Sequence, residues 1–233
     1  MNNLSIKKGL LALITTGFVI SMGGVAIAGS NKAGKMDYTS MSPEELADYL
    51  IFEKKGFKLD AKIQEGGTIR DRLKQDEIMK TCSGLKGRQI DGATAGKVTK
   101  LAKKNIVYPK GGIKLGDWKK GEAVAHNAFG FRVGHKTDKH GKRQPGGMCI
   151  NCHEMDPKSR IPAGNVGPSL KGYGKIRGQS EAMLKYTYNV IYNPHSTFPC
   201  SKMPRIGANG VITEQQILDV MAYLLDPKSP VNK

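Results

Sequence analysis

The sequence predicts an all-α protein, and three observations carry that reading. Ile217, Val220, Met221 and Leu224 repeat at i, i+3, i+4 and i+7 behind the capping box Thr213-Glu214-Gln215-Gln216, and Asp226-Pro227 stops the run. Ser42-Pro43-Glu44-Glu45 is a second capping box, with proline at the first helical position. No stretch shows the period-two alternation of a strand.

The elements follow in chain order. Residues 1–28 read as a leader: Lys7 and Lys8 precede an apolar run over 10–27 that ends in Ala26-Ile27-Ala28, small residues that fit a signal-peptidase pocket. Cleavage there would leave a soluble periplasmic protein; an uncleaved anchor is the alternative. Residues 29–116 read as a helical extension. Its first helix starts at Pro43 and carries Leu46, Tyr49 and Leu50 on one face until Gly56. A second runs over 68–82 through Leu73 and Ile78, and a third over 94–104 with Ala95, Val98, Leu101 and Ala102 apolar. Pro109, Gly111, Gly112 and Gly116 mark a linker. Residues 117–233 are expected to form one further domain, with helices over 121–129, 180–192 and 214–225.

Composition narrows the function classes. With 39% hydrophobic and 24% charged residues the chain is neither disordered, collagenous nor a polytopic membrane protein. Its 37 Lys and Arg against 20 acids give a net charge of +17. Residues 97–145 hold 13 of the basic side chains and 3 acids, which raises nucleic-acid binding, but an export leader and 6% aromatic content argue against it.

The most informative stretch is Cys149-Ile150-Asn151-Cys152-His153. Two thiols three residues apart lie on one side of a helical turn, and the histidine that follows points at whatever they hold. This is the attachment sequence of a c-type haem, with thioethers at Cys149 and Cys152 and His153 on the iron. A thioredoxin-like pair would need a strand before it and a long helix after it, whereas Pro145-Gly146-Gly147 precedes and Pro157 and Pro162 follow. One covalent haem c is therefore expected, in a class I cytochrome c-like domain whose helices at 121–129 and 214–225 cross.

A second axial ligand is expected from Met203, which flanking prolines hold in an extended loop, Phe198-Pro199-Cys200-Ser201-Lys202-Met203-Pro204-Arg205. Met148 and Met155 lie too near the attachment turn to reach the opposite face, and Met183 falls inside a helix. His195 and Cys200 are the rival ligands. A filled sixth position would close the iron to peroxide chemistry. The Pro168 carbonyl is expected to accept the free ring N–H of His153, with an ordinary turn as the alternative. In an exported chain the remaining Cys82 and Cys200 are expected to form a disulfide, unless Cys200 ligates iron.

From Trp118 onward, about half the chain, the sequence resembles SoxX, the monohaem cytochrome subunit of the SoxXA complex of thiosulfate oxidation. The resemblance rests on Cys149 to His153, on Gly164-Asn165-Val166-Gly167-Pro168-Ser169-Leu170-Lys171-Gly172-Tyr173-Gly174, and on Ile191-Tyr192-Asn193-Pro194. Met203-Pro204-Arg205-Ile206-Gly207, Ala222-Tyr223-Leu224 and the tail Pro227-Lys228-Ser229-Pro230-Val231-Asn232 extend it. Residues 36–116 look like the extension some members carry. The resemblance implies an electron-accepting subunit of an L-cysteine S-thiosulfotransferase, with a SoxA-like diheme subunit as partner. A SoxYZ-like carrier protein would then receive thiosulfate on a cysteine, and the electrons would pass to a downstream acceptor. The residues alone read as an electron carrier, and a free periplasmic cytochrome is the alternative function. The 80-odd residues of the extension favour a lasting partner interface.

Overall fold

The computed structural model describes residues 37–63, 67–130, 144–156 and 163–233. The leader at 1–28 and the basic loop at 132–143 lie outside the described residues. The chain divides into two compact units, Met1–Ser42 and Pro43–Lys233. In the first, the described residues form a 3-10 turn, Tyr38–Ser40, begun by the Asp37 carboxylate, which accepts from the Thr39 N–H at 2.9 Å.

The second unit is all-α. Its helices are α1 (Pro43–Asp48), α2 (Ile69–Leu73), α3 (Glu77–Ser83), α4 (Gly92–Lys104), α5 (Trp118–His126), α6 (Tyr173–Arg177), α7 (Glu181–Tyr192) and α8 (Glu214–Leu225). No strand occurs among the described residues, and one isolated bridge joins Lys62 to Thr68. No described helix is long and apolar enough to cross a membrane.

Three helices differ from the sequence expectation, each for a local reason. The first loosens after Asp48 into a π turn, Tyr49–Glu53, and closes when the Gly56 N–H donates to the Leu50 carbonyl at 3.1 Å. A Cβ at Gly56 would sit 2.8 Å from that carbonyl oxygen. The run expected over 68–82 is two helices. Thr68 and Asp71 make a capping box that starts α2, Lys74 turns extended, and the Asp76 carboxylate then accepts from the Met79 N–H at 2.8 Å to start α3. The helix expected over 121–129 begins three residues sooner because Asp117 caps it, accepting from the Lys119 N–H at 2.8 Å, and it ends before Asn127.

The core is built around α8. The Thr213/Gln216 capping box forms, and every residue of α8 from Val220 to Leu225 is buried. Removing each of the larger apolar side chains from water stabilises the fold by about 1.5–3 kcal/mol. Helix α5 lies directly on α8, backbone against backbone. A Cβ at Gly121 would overlap the Asp219 carbonyl and come within 2.9 Å of the Val220 nitrogen. The buried Asp219 carboxylate accepts from the Asp117 N–H at 2.9 Å and from Gln215 at 3.0 Å, which fixes the start of α5 on α8. The tail closes the other end. Asn232 donates to the Leu224 and Asp226 carbonyls and accepts from the Gly174 and Lys175 N–H groups, joining α6 to the end of α8.

From Pro43 onward the extension folds into this same unit. Ile78, Val98 and Ala102 form a second small core with Leu101, Cys82 and Cys200. Cys82 and Cys200 are joined in a disulfide with Cα atoms 5.3 Å apart. Helix α4 also packs on the turn Pro194–Ser196, where Asn193 donates to the Ala102 carbonyl at 3.4 Å.

Candidate functional site

The turn at Cys149–Asn151 starts from Met148, whose φ of +50° reverses the chain. The Cys152 N–H donates to the Cys149 carbonyl at 3.1 Å and the His153 N–H to the same oxygen at 2.9 Å. Ile150 points into the core, which anchors the turn. On one side α5 holds it: the Gly147 N–H donates to the Val124 carbonyl at 2.9 Å and the Met148 N–H to the Asn127 carbonyl at 3.2 Å. A Cβ at Gly147 would stand 3.1 Å from Cys149 Sγ and 3.6 Å from Ile206 Cδ1, so the turn and the segment after Met203 approach there.

On the other side the loop over 163–170 is strapped along the turn. Gly164 donates to the Ile150 carbonyl at 2.9 Å, Gly167 to the Cys152 carbonyl at 2.8 Å and Leu170 to the Glu154 carbonyl at 2.7 Å. Lys171 and Ser169 bond the Glu154 carboxylate, and these contacts hold its pKa below the usual carboxylate value. Pro168, in the same strap, places its carbonyl oxygen 2.8 Å from His153 Nδ1. A carbonyl only accepts, so Nδ1 is the donor, and in the neutral imidazole Nε2 is the nitrogen with the lone pair. Gly167 lies flat against the imidazole: a Cβ there would be 2.6 Å from Nδ1 and 2.8 Å from Nε2.

Cys149 and Cys152 are both free thiols. Burial pushes the Cys149 thiol up to about 11, so it stays protonated at neutral pH. Unpaired sulfurs on one turn, beside a histidine whose tautomer leaves Nε2 available, fit a covalently held haem.

Met203 is half-buried between Ser201, whose hydroxyl accepts its N–H at 3.1 Å, and Pro204. The other sulfur candidates stand elsewhere. Met155 is buried in the main core, Met148 is exposed, and Met183 accepts from the Tyr173 hydroxyl. Cys200 is engaged in the disulfide, which withdraws it as an iron ligand. His195 is buried against α4 with no partner for Nδ1, and burial lowers its pKa. Beside it Arg205 pairs with Asp76 at 2.6 Å, another tie between the extension and the Met203 segment.

Sequence reasoning found the close approach that Gly164 and Gly167 allow but missed the parts played by Gly121 and Gly147. A glycine whose missing side chain makes room for a distant element carries no local signal.

Over 159 residues, 68% of this chain and 73% of its relative, the sequence is 40% identical to an uncharacterized lipoprotein of Aquifex aeolicus (strain VF5). The chain belongs to the family of that lipoprotein. No protein-family model matches it.

The strapped turn also gives a direct prediction. Gly167→Ala should displace the His153 ring or break the strap, since the new methyl would occupy the space of the imidazole. The backbone bond to Cys152 and the Pro168 contact would weaken together, at a cost of about 1–3 kcal/mol. Urea unfolding and the imidazole NMR resonances of His153 measure both effects.

Proposed function

We propose that this chain is an exported monohaem c-type cytochrome that accepts electrons as the subunit of a SoxXA-type complex coupling thiosulfate to a carrier-protein cysteine. The observation that carries the haem part is His153 Nδ1 held 2.8 Å from the Pro168 carbonyl, next to two unpaired cysteines. When bound, the haem supplies a one-electron iron couple. Cys149 and Cys152 would hold it by thioether bonds, and His153 Nε2 and Met203 Sδ would ligate its iron. A thioether raises the reduction potential relative to a second histidine, which suits an electron acceptor. The Pro168 carbonyl keeps the proton on Nδ1 and orients the ring.

The partners follow from the resemblance: a SoxA-like diheme subunit, a SoxYZ-like carrier and a downstream electron acceptor. Joining thiosulfate to a thiol through a sulfur–sulfur bond releases two electrons, so a one-electron centre needs a second acceptor close by. Export to the periplasm rests on the leader, and the lipoprotein relative supports a place in the cell envelope.

A free envelope carrier is the second reading, and one observation favours it. The extension folds inward on its own chain through Cys82, Cys200, Val98 and Ala102, so part of its apolar surface is used internally. Reconstitution with the diheme subunit and the carrier protein separates the two readings: thiosulfate-dependent reduction in a stable heterodimer supports the first. A monomer that leaves the partner's activity unchanged supports the second.

Met203→Ala tests the ligand assignment. The variant is expected to lose the absorption band of thioether-ligated ferric iron, to bind carbon monoxide when reduced, and to show a lower potential. An unchanged spectrum and potential would exclude Met203.

A further inference from the structure

Val107 and Tyr108 are neighbours in sequence, and both are exposed, at 61% and 42%. Lys185 Nζ lies 5.6 Å from the centre of the Tyr108 ring, and the Tyr108 hydroxyl donates to Asn189 at 2.9 Å, so α7 fixes the ring in one pose. Between Asp91 and Asp117 the chain carries six lysines and no acid. Lys103, Lys104 and Lys110, flanking the pair, are exposed. An apolar and aromatic centre rimmed by lysines is the chemistry of a surface that meets an acidic protein.

Behind this patch runs a continuous aromatic stack. The rings of Tyr108 and Tyr188 have centroids 5.7 Å apart, and Tyr188 stacks on Tyr192 at the same distance with an interplanar angle of 24°. Tyr188 is wholly buried, and its hydroxyl donates to the Val107 carbonyl at 2.7 Å, which ties the patch to the stack. The inner end lies against Gly207, and Ile206 stands between it and the candidate site. Tyr192 Cδ2 would be 2.8 Å from a Cβ on Gly207, and Ile206, one residue back, meets Gly147 beside Cys149 Sγ.

We infer that the Val107–Tyr108–Lys185 surface docks an acidic electron-transfer protein, and that Tyr108, Tyr188 and Tyr192 couple it electronically to the attachment turn. The inference rests on the haem reading above and adds a surface and a partner chemistry to it. The step is a one-electron transfer: the chain is oxidised as the docked acceptor is reduced. No covalent bond forms or breaks, and the tyrosines keep their oxidation state. Packed aromatic rings serve by leaving no gap across which electronic coupling would decay.

Oxidised plastocyanin, an acidic copper protein, is the probe, mixed with the reduced full-length protein in a stopped-flow instrument. Val107→Asp and Lys185→Glu are expected to lower the second-order rate constant roughly tenfold at low ionic strength, and the Lys185→Glu deficit should shrink as salt screens the charges. Tyr108→Leu keeps an apolar centre and breaks the stack, so it should lower the limiting rate at saturating plastocyanin. Oxidation by benzoquinone, small and uncharged, should be unchanged in all three. Rate constants within about twofold of the unmodified protein in every variant, with benzoquinone rates also unchanged, would overturn the docking surface and leave the haem reading standing. A purified protein without covalent haem would overturn both.

Discussion

Removing the Cys82–Cys200 disulfide, by reduction or by the pair Cys82→Ser and Cys200→Ser, is expected to lower stability by roughly 4–5 kcal/mol. The bridge closes a loop across a sequence separation of 118 residues, which restricts the unfolded chain far more than a short loop would. Domains are stable by about 5–15 kcal/mol in all, so the loss is a large fraction of the total. It should appear as a fall in Tm of roughly 10–20 °C for a chain of this size. The site would feel it too, because the disulfide and the Arg205–Asp76 pair are both ties between the extension and the segment that carries Met203. Thermal unfolding with and without reductant measures the effect, and a change under about 1 kcal/mol would show that the second core of Ile78, Val98 and Ala102 holds without the bridge.

What the sequence made legible was local. The capping box at Thr213 and Gln216, the apolar repeat from Ile217 to Leu224 and the stop at Asp226 set α8 to within a residue, because side chains three and four apart settle those features. Ser180 caps α7 in the same way, accepting from the Met183 N–H at 3.3 Å. The pair Cys82 and Cys200 was legible through compartment chemistry, without geometry. The break between α2 and α3 was not. Asp76 reads as one acid in a helical run until its carboxylate is seen capping Met79 and pairing with Arg205, which lies 129 residues away.

The candidate site divides along the same line. Cys149, Cys152 and His153 announce themselves by spacing, and the carbonyl of Pro168 could be named because a ligating histidine needs an acceptor for its other nitrogen. The left-handed backbone at Met148 gave no such signal, since methionine has no preference for φ of +50° and takes it under tertiary constraint. Nor did the three backbone bonds that strap 163–170 along the turn, which depend on Gly164 and Gly167 lying against Asn151 and His153.

Gly121→Ala should destabilise the protein by about 3 kcal/mol, the upper end of the usual overpacking cost, although alanine is the better helix former by roughly 1 kcal/mol. The sign therefore separates helix propensity from packing. In α5 the new Cβ would overlap the Asp219 carbonyl, and both surfaces are helix backbone, so no rotamer change relieves the overlap. Helix α5 would have to move off α8, opening space along Val124 and Ala125 and drawing Asp117 from the Asp219 carboxylate. Gly96 in α4 is the control: nothing lies within 4 Å of a Cβ there, so Gly96→Ala should stabilise by about 0.5–1 kcal/mol. Urea unfolding of the two variants gives the contrast, and a Gly121→Ala protein as stable as the unmodified chain would refute the α5–α8 contact. The effect should also reach the turn at Cys149–Asn151, because the Val124 carbonyl on α5 accepts the Gly147 N–H at 2.9 Å, two residues before Cys149. A displaced α5 would therefore shift Cys149 against Ile206, and under the haem function proposed above, haem incorporation would fall along with stability in this variant and remain whole in Gly96→Ala.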